Sequence, residues 1–148
     1  MSQDESELIL QFDGGSRGNP GPAGIGLTLR TPDGRLIYEL GEFIGKHTNN
    51  VAEYTALLRG LEMACKLGVG RLIIRADSEL VVRQIQGRYR VKSPDLQPLY
   101  QRAIDLLRCV PKWSIEHVYR DDNHRPDELA NQAMNRCGKV EHGRDMPA

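Results

Sequence analysis

The sequence predicts an α/β domain on a mixed five-stranded sheet, three antiparallel strands followed by two parallel ones, with helices on both faces. Two observations lead there. Three strand-like runs come first and are joined by short turns, as in an antiparallel meander. After a long helix-like run, strand-like and helix-like segments then alternate, which requires crossovers, expected to be right-handed, and parallel pairing. The 148 residues amount to one domain with room for a respectable core.

Leu8 to Phe12 is a short apolar run bounded by the Gly-rich stretch DGGSRGNPG, which opens at Asp13. Ala23 to Arg30 reads as the second strand, and Thr31-Pro32-Asp33-Gly34 supplies turn chemistry for a hairpin to Arg35 to Ile44. Asn49 to Leu67 is the longest helix candidate, with Asn49 or Asn50 able to cap its first turn and Gly68 and Gly70 to end it. Gly60 inside it costs roughly 1 kcal/mol against Ala, which close approach of helix to sheet would offset. Leu72 to Ala76 is a short strand, followed by a helix from about Ser78 to Ile85. Ser93-Pro94-Asp95 starts a helix to about Cys109 that Pro111 stops, and Trp113 to Tyr119 alternates as the fifth strand. Pro126 lies near the start of a last helix through about Arg136. Residues 1–7 and 138–148 are polar and aperiodic, so they are expected to be flexible tails around a domain over residues 8–137.

Hydrophobic content of 39% and charged content of 27% suit a soluble globular protein. Lys plus Arg and Asp plus Glu number 20 each, so no global field favours a polyanion. The balance hides one basic segment, Arg83, Arg88, Arg90 and Lys92 with Tyr89 among them. Cys65, Cys109 and Cys137 show no paired metal spacing and suit a reducing compartment. No signal peptide is visible and no apolar run could span a bilayer; a cytoplasmic monomer without membrane attachment is expected.

Four acidic residues stand out: Asp13 in DGGSRGNPG, Glu53 in TNNVAEYTALL, Asp77 in LIIRADSELVV and Asp127 in HRPDELANQAM. Asp13 and Asp77 end strand-like runs, and neighbouring strand exits lie side by side in such a sheet. Four carboxylates gathered by a fold are costly unless positive charge sits among them. Hard divalent cations are the usual solution, since they take oxygen ligands and can drive in-line attack at phosphorus.

At these residues the chain resembles a type 1 ribonuclease H. DGGSRGNPGPAG, TNNVAEYTAL, ADSELVV and RPDELANQA occur in family order and cover nearly the whole chain. The resemblance implies a ribonuclease H-like fold and an endoribonuclease that hydrolyses the RNA strand of RNA–DNA hybrids. It further implies two Mg²⁺ or Mn²⁺ ions held by Asp13, Glu53, Asp77 and Asp127, with Asp13 bridging them. Such ions, about 4 Å apart, activate the attacking water and neutralise the leaving 3′ oxygen. Asp127, in a first helical turn, gains from the helix dipole.

Gly14, Gly15, Gly18 and Gly21 would let the hybrid's minor groove approach the backbone, and they equally make a tight turn. Ser16 lies in the same stretch. Asn19, Asn49 and Asn50 fall where the family has groove-facing amides able to sense ribose 2′-OH, with helix capping as the alternative for Asn49 and Asn50. Departures are also visible. Only a short segment separates Tyr119 from Asp127, so a His-bearing loop found in many members is truncated; Arg120 or His124 is the candidate to assist departure of the cleaved phosphate. The basic insertion is reduced to Arg83, Arg88, Arg90 and Lys92, of which Arg88 and Arg90 are candidate phosphate contacts, against the alternative of a solvated face. Glu79 replaces an amide common after the Asp-Ser pair. Double-stranded RNA is a further candidate substrate. The competing readings are a non-catalytic nucleic-acid-binding module, and another nuclease or strand-transferase on the same fold; a pure binder has no need of all four acids.

Overall fold

The computed structural model describes residues 6–143. Its elements run β1 (Glu7–Ser16), β2 (Gly21–Arg30), β3 (Leu36–His47), α1 (Asn49–Leu67), β4 (Arg71–Ala76), α2 (Glu79–Ile85), α3 (Gln97–Leu107), β5 (Lys112–His117), α4 (His124–Arg136) and β6 (Lys139–Gly143). Among the described residues no helix is long and apolar enough to cross a membrane. The mixed sheet expected from the sequence is present, ordered β5-β4-β1-β2-β3-β6. β4 pairs parallel with β1 and β5, while the β1-β2, β2-β3 and β3-β6 pairs are antiparallel.

It has six strands rather than five, because residues 139–143, assigned by the sequence reading to the C-terminal tail, pair with the edge of β3. That strand has one buried apolar residue, Val140, so periodicity could not reveal it. Polar contacts hold it: Tyr38 Oη donates to Glu141 Oε2 at 2.5 Å, and His142 Nδ1 lies 3.0 Å from Glu39 Oε1. Glu7, expected with Ser6 in the N-terminal tail, also joins the sheet. The Ser6 carbonyl accepts from Gly70 and Arg71 N–H, and Glu7 pairs with Arg71. The outer parts of both expected tails, residues 1–5 and 144–148, lie outside the described residues.

The two faces of β1 are treated differently. Leu8, Leu10 and Phe12 are buried in the main core, under α1. Gly60 brings α1 down as expected: a Cβ there would stand 2.6 Å from Leu10 Cδ1. Gln11 and Asp13 face α4. A glycine strip lets that helix lie unusually close. A Cβ on Gly24 would meet the Ala130 carbonyl oxygen at 2.8 Å, one on Gly26 the Pro126 oxygen at 1.9 Å, and one on Gly41 the Leu129 oxygen at 2.5 Å.

Polar pins fix the start of α4. Arg125 donates both Nε and Nη2 to the buried Glu39 carboxylate, at 3.0 and 2.9 Å, and this bidentate pair holds the Glu39 carboxyl below its ordinary range. Asn123, fully buried, donates from Nδ2 to the Phe12 carbonyl at 2.7 Å.

Candidate active site

Asp13 lies inside β1 rather than at its end, because Gly14, Gly15 and Ser16 continue the pairing with Ile25, Gly24 and Ala23. Phe12 pairs with Ala76 on the parallel strand, so Asp13 and Asp77 emerge side by side at one level. Asp13 also pairs with Gly26, the residue on which the Pro126 backbone rests, and this sets Asp127 over it. Glu53 arrives from α1 because Gly14 has no side chain; a Cβ there would meet the Ala52 carbonyl carbon at 2.3 Å and Glu53 N at 2.6 Å. Ser78 then donates to Glu53 Oε2 at 2.8 Å while its Oγ caps α2, accepting from Val81 N.

All four acids line one open cavity of about 490 Å³, together with Gly14, Gly15, Ser16 and Arg120 from the sequence reading. Arg17, His117, Tyr119 and Asn131 also line it, and the sequence reading missed them. His117 could have been found: it ends β5 and pairs with Ala76 of β4, so the third parallel strand ends beside the other two, where such sheets build their sites.

The remaining candidates lie elsewhere. His124 is exposed at the start of α4 and does not line the cavity, which leaves Arg120 as the residue beside Asp77. Asn49 does not cap α1; Thr48 does, its Oγ1 accepting from Val51 N at 3.2 Å. The Asn49 Oδ1 instead accepts from Ser16 N at 2.8 Å, and Asn49 N donates to Asn19 Oδ1 at 3.1 Å. Asn19, Asn49 and Ser16 are thus one connected unit on the border of the cavity, and Asn50 is exposed beside it. Gly18 is a turn residue with φ 97°, and Gly21 packs on the Arg17 carbonyl. Arg88 and Arg90 line a separate cavity of about 570 Å³ with Tyr89, Gln97, Tyr100 and Gln101.

The electrostatics explain what the acids can hold. The Asp13 carboxyl is pushed from an ordinary 3.8 up to about 8, by burial first, then by the Asp77 charge and a hydrogen bond with Asp127. Glu53 is pushed up to about 7, again mainly by burial and against the lowering effect of Ser78. Asp77 is raised by burial, opposed by its hydrogen bond with Asp13 and by the charge of Arg120. Desolvation therefore exceeds the mutual repulsion that the sequence emphasises.

Among the described residues no group of three or more His, Cys, Asp or Glu side chains is arranged to hold a metal ion as it stands. Burial and the neighbouring carboxylates instead hold Asp13, Glu53 and Asp77 above the ordinary carboxylate range. The donor chemistry nevertheless fits a hard cation: the acids supply only oxygen, and for Asp13, Glu53 and Asp77 burial makes ionisation costly without a positive partner.

Because Asp13 and Glu53 have folded values above their unfolded ones, the folded chain binds more protons across roughly pH 4 to 8 and loses stability as pH rises through that window. For Asp13 the slope approaches about 1.4 kcal/mol per pH unit. Asp13→Asn should therefore be more stable than wild type in EDTA at pH 8, with the gap shrinking toward pH 5. Urea melts at the two pH values check this, and a gap independent of pH would contradict it.

Comparison with known proteins agrees with this geometry. The family model described as "Reverse transcriptase-like" matches residues 11–133. A protein named Ribonuclease HI from Halobacterium salinarum is 47% identical over 123 residues, covering 83% of this chain and 62% of its own length. The chain thus spans less than two thirds of that relative. A protein named Ribonuclease H from Hydrogenovibrio crunogenus is 34% identical over 145 residues, covering 86% of this chain and 95% of its own. The solved structure of LC11-RNase H1 in complex with RNA/DNA hybrid is 41% identical with a TM-score of 0.85, covering 88% and 98% of the two chains. The chain belongs to the type 1 ribonuclease H family. Ribonucleases H depend on divalent metal ions.

Proposed function

We propose that this chain is an endoribonuclease that hydrolyses the RNA strand of RNA–DNA hybrids and leaves 5′-phosphate and 3′-hydroxyl ends. The observation that carries this reading is the meeting of Asp13, Glu53, Asp77 and Asp127 at one cavity bordered by the Gly14–Ser16 backbone. Those acids would hold two Mg²⁺ or Mn²⁺ ions, which supply an activated water and neutralise charge on the leaving oxygen. The chain's own residues position the reactants. Ser78 orients Glu53, Asn123 and Arg125 anchor the helix that carries Asp127, and Arg120 is the cation beside the acids for the departing phosphate.

Gly14 and Gly15 admit the substrate backbone, and Ser16, Asn19, Asn49 and Asn50 form the groove-facing edge. With Oδ1 engaged by Ser16, the Asn49 side chain presents its NH₂ group as donor, suited to base-edge acceptors and the ribose 2′ oxygen. The LC11 relative, solved with a hybrid, supports this substrate class, and double-stranded RNA is the second one. The protein acts as a monomer in the cytoplasm.

The test is a gel of labelled hybrid, duplex RNA and duplex DNA, each with Mg²⁺, Mn²⁺ or EDTA. The hybrid should be cut with either ion and intact in EDTA, and duplex DNA should survive throughout. An uncut hybrid under both ions, or cutting in EDTA, would overturn the reading.

Groove and phosphate contacts should separate by salt. Asn50→Ala should weaken cleavage at every salt concentration, by about 1 to 2 kcal/mol if an amide contact is lost. Replacing Arg88 and Arg90 by Ala should instead lower the slope of log affinity against log salt, by up to about 0.9 per lost phosphate contact. An unchanged slope would make that segment a solvated face only.

A further inference from the structure

Away from the acid cavity, α1 and α3 bring two cysteines together. Cys65, near the end of α1, donates from Sγ to the Leu106 carbonyl at 3.4 Å. That carbonyl also accepts the backbone N–H of Cys109 at 2.9 Å, just past the end of α3. Both residues thus converge on one oxygen, and the Cys109 thiol neighbours that of Cys65. Cys65 is half-buried and Cys109 exposed, and neither is used by the proposed chemistry.

We propose that Cys65 and Cys109 are a redox modification site that closes into a reversible intramolecular disulfide when the protein meets a peroxide. The Cys109 sulfur, open to solvent, attacks the peroxide O–O bond, giving a sulfenic acid and one water. The Cys65 sulfur then attacks the Cys109 sulfur and expels the hydroxyl as a second water. The two thiol protons leave in those waters, and the two electrons released by forming the S–S bond reduce the peroxide. This order suits the environments. Burial, then the hydrogen bond with Cys109, pushes the Cys65 thiol up to about 11, so it makes a poor first nucleophile. The bridge would close a loop spanning β4, α2 and α3 and tie the far end of α1 to α3. Glu53 lies in the first turns of α1, at the opposite end, so oxidation should leave the acid cavity in place.

The experiment treats the full chain with a small excess of hydrogen peroxide, blocks remaining thiols by alkylation and maps peptides by mass. A Cys65–Cys109 linked peptide should appear on monomeric protein, with unlinked Cys137, a melting temperature higher by roughly 5 °C or more, and reversal of both by dithiothreitol. Cys109→Ser, exposed and therefore tolerant, should abolish link and shift together, while Cys137→Ser should keep both. The proposal is overturned if Cys65 and Cys109 stay alkylatable, if Cys109 proceeds to sulfinic acid without linking, or if only intermolecular links form. Because the readouts are covalent mass and melting, they are independent of nuclease activity.

Discussion

Asp13→Asn is expected to reduce hybrid cleavage to background, a loss beyond about a thousandfold, or roughly 4 kcal/mol of barrier. Asp13 sits at the centre of the acid group: Asp77, Asp127 and Glu53 all act on its carboxyl and raise it. An amide keeps the shape and a hydrogen bond to its neighbours but removes the charge that a divalent ion needs. Hybrid binding measured in Ca²⁺ should survive, because the groove-facing unit of Ser16, Asn19 and Asn49 is untouched. Single-turnover cleavage and a binding titration on the same preparation separate the two effects. A variant cutting within tenfold of wild type would remove Asp13 from its assigned role.

Gly26→Val is the second large effect. The first atom of any side chain there would stand 1.9 Å from the Pro126 oxygen and 2.9 Å from Ala130 N, both backbone atoms of α4. No rotamer relieves that overlap, so the helix must shift, at a cost of about 3 kcal/mol or more. The shift lifts Asp127 from Asp13, because Pro126 directly precedes Asp127 and Gly26 is the register partner of Asp13. Cleavage should therefore fall by more than the loss of folded protein explains, as measured under conditions where circular dichroism shows the variant fully folded. Wild-type melting with wild-type cleavage would contradict the glycine-strip account.

Much of this was legible in the residues themselves. The apolar runs ahead of Asp13 and Asp77 place one acid in a strand and the other directly after one, and the periodicity over Asn49 to Leu67 gives α1 with its Gly68 cap. What stayed hidden depends on contacts between distant segments. Polar β6 exists because β3 offers an edge and Tyr38 and Glu39 offer partners, none of which a local apolar pattern encodes. Thr48 takes the capping role because Asn49 is drawn across to Ser16. The close seating of α4 needs Gly24, Gly26 and Gly41 from two strands on one face, so only register reveals the strip. Ser78 reads only as the start of a helix, and its bond to Glu53 depends on α1 lying beside α2.

The most direct measurement of the central claim, that the four acids form a cation site centred on Asp13, is a count of free Mn²⁺ by electron paramagnetic resonance as protein is added. Wild type should deplete free Mn²⁺ at pH 8. Depletion should be much weaker at pH 5, where the raised Asp13 carboxyl keeps its proton and competes with the ion. Asp13→Asn should deplete little at either pH. Equal depletion by the two proteins at pH 8 would contradict the account.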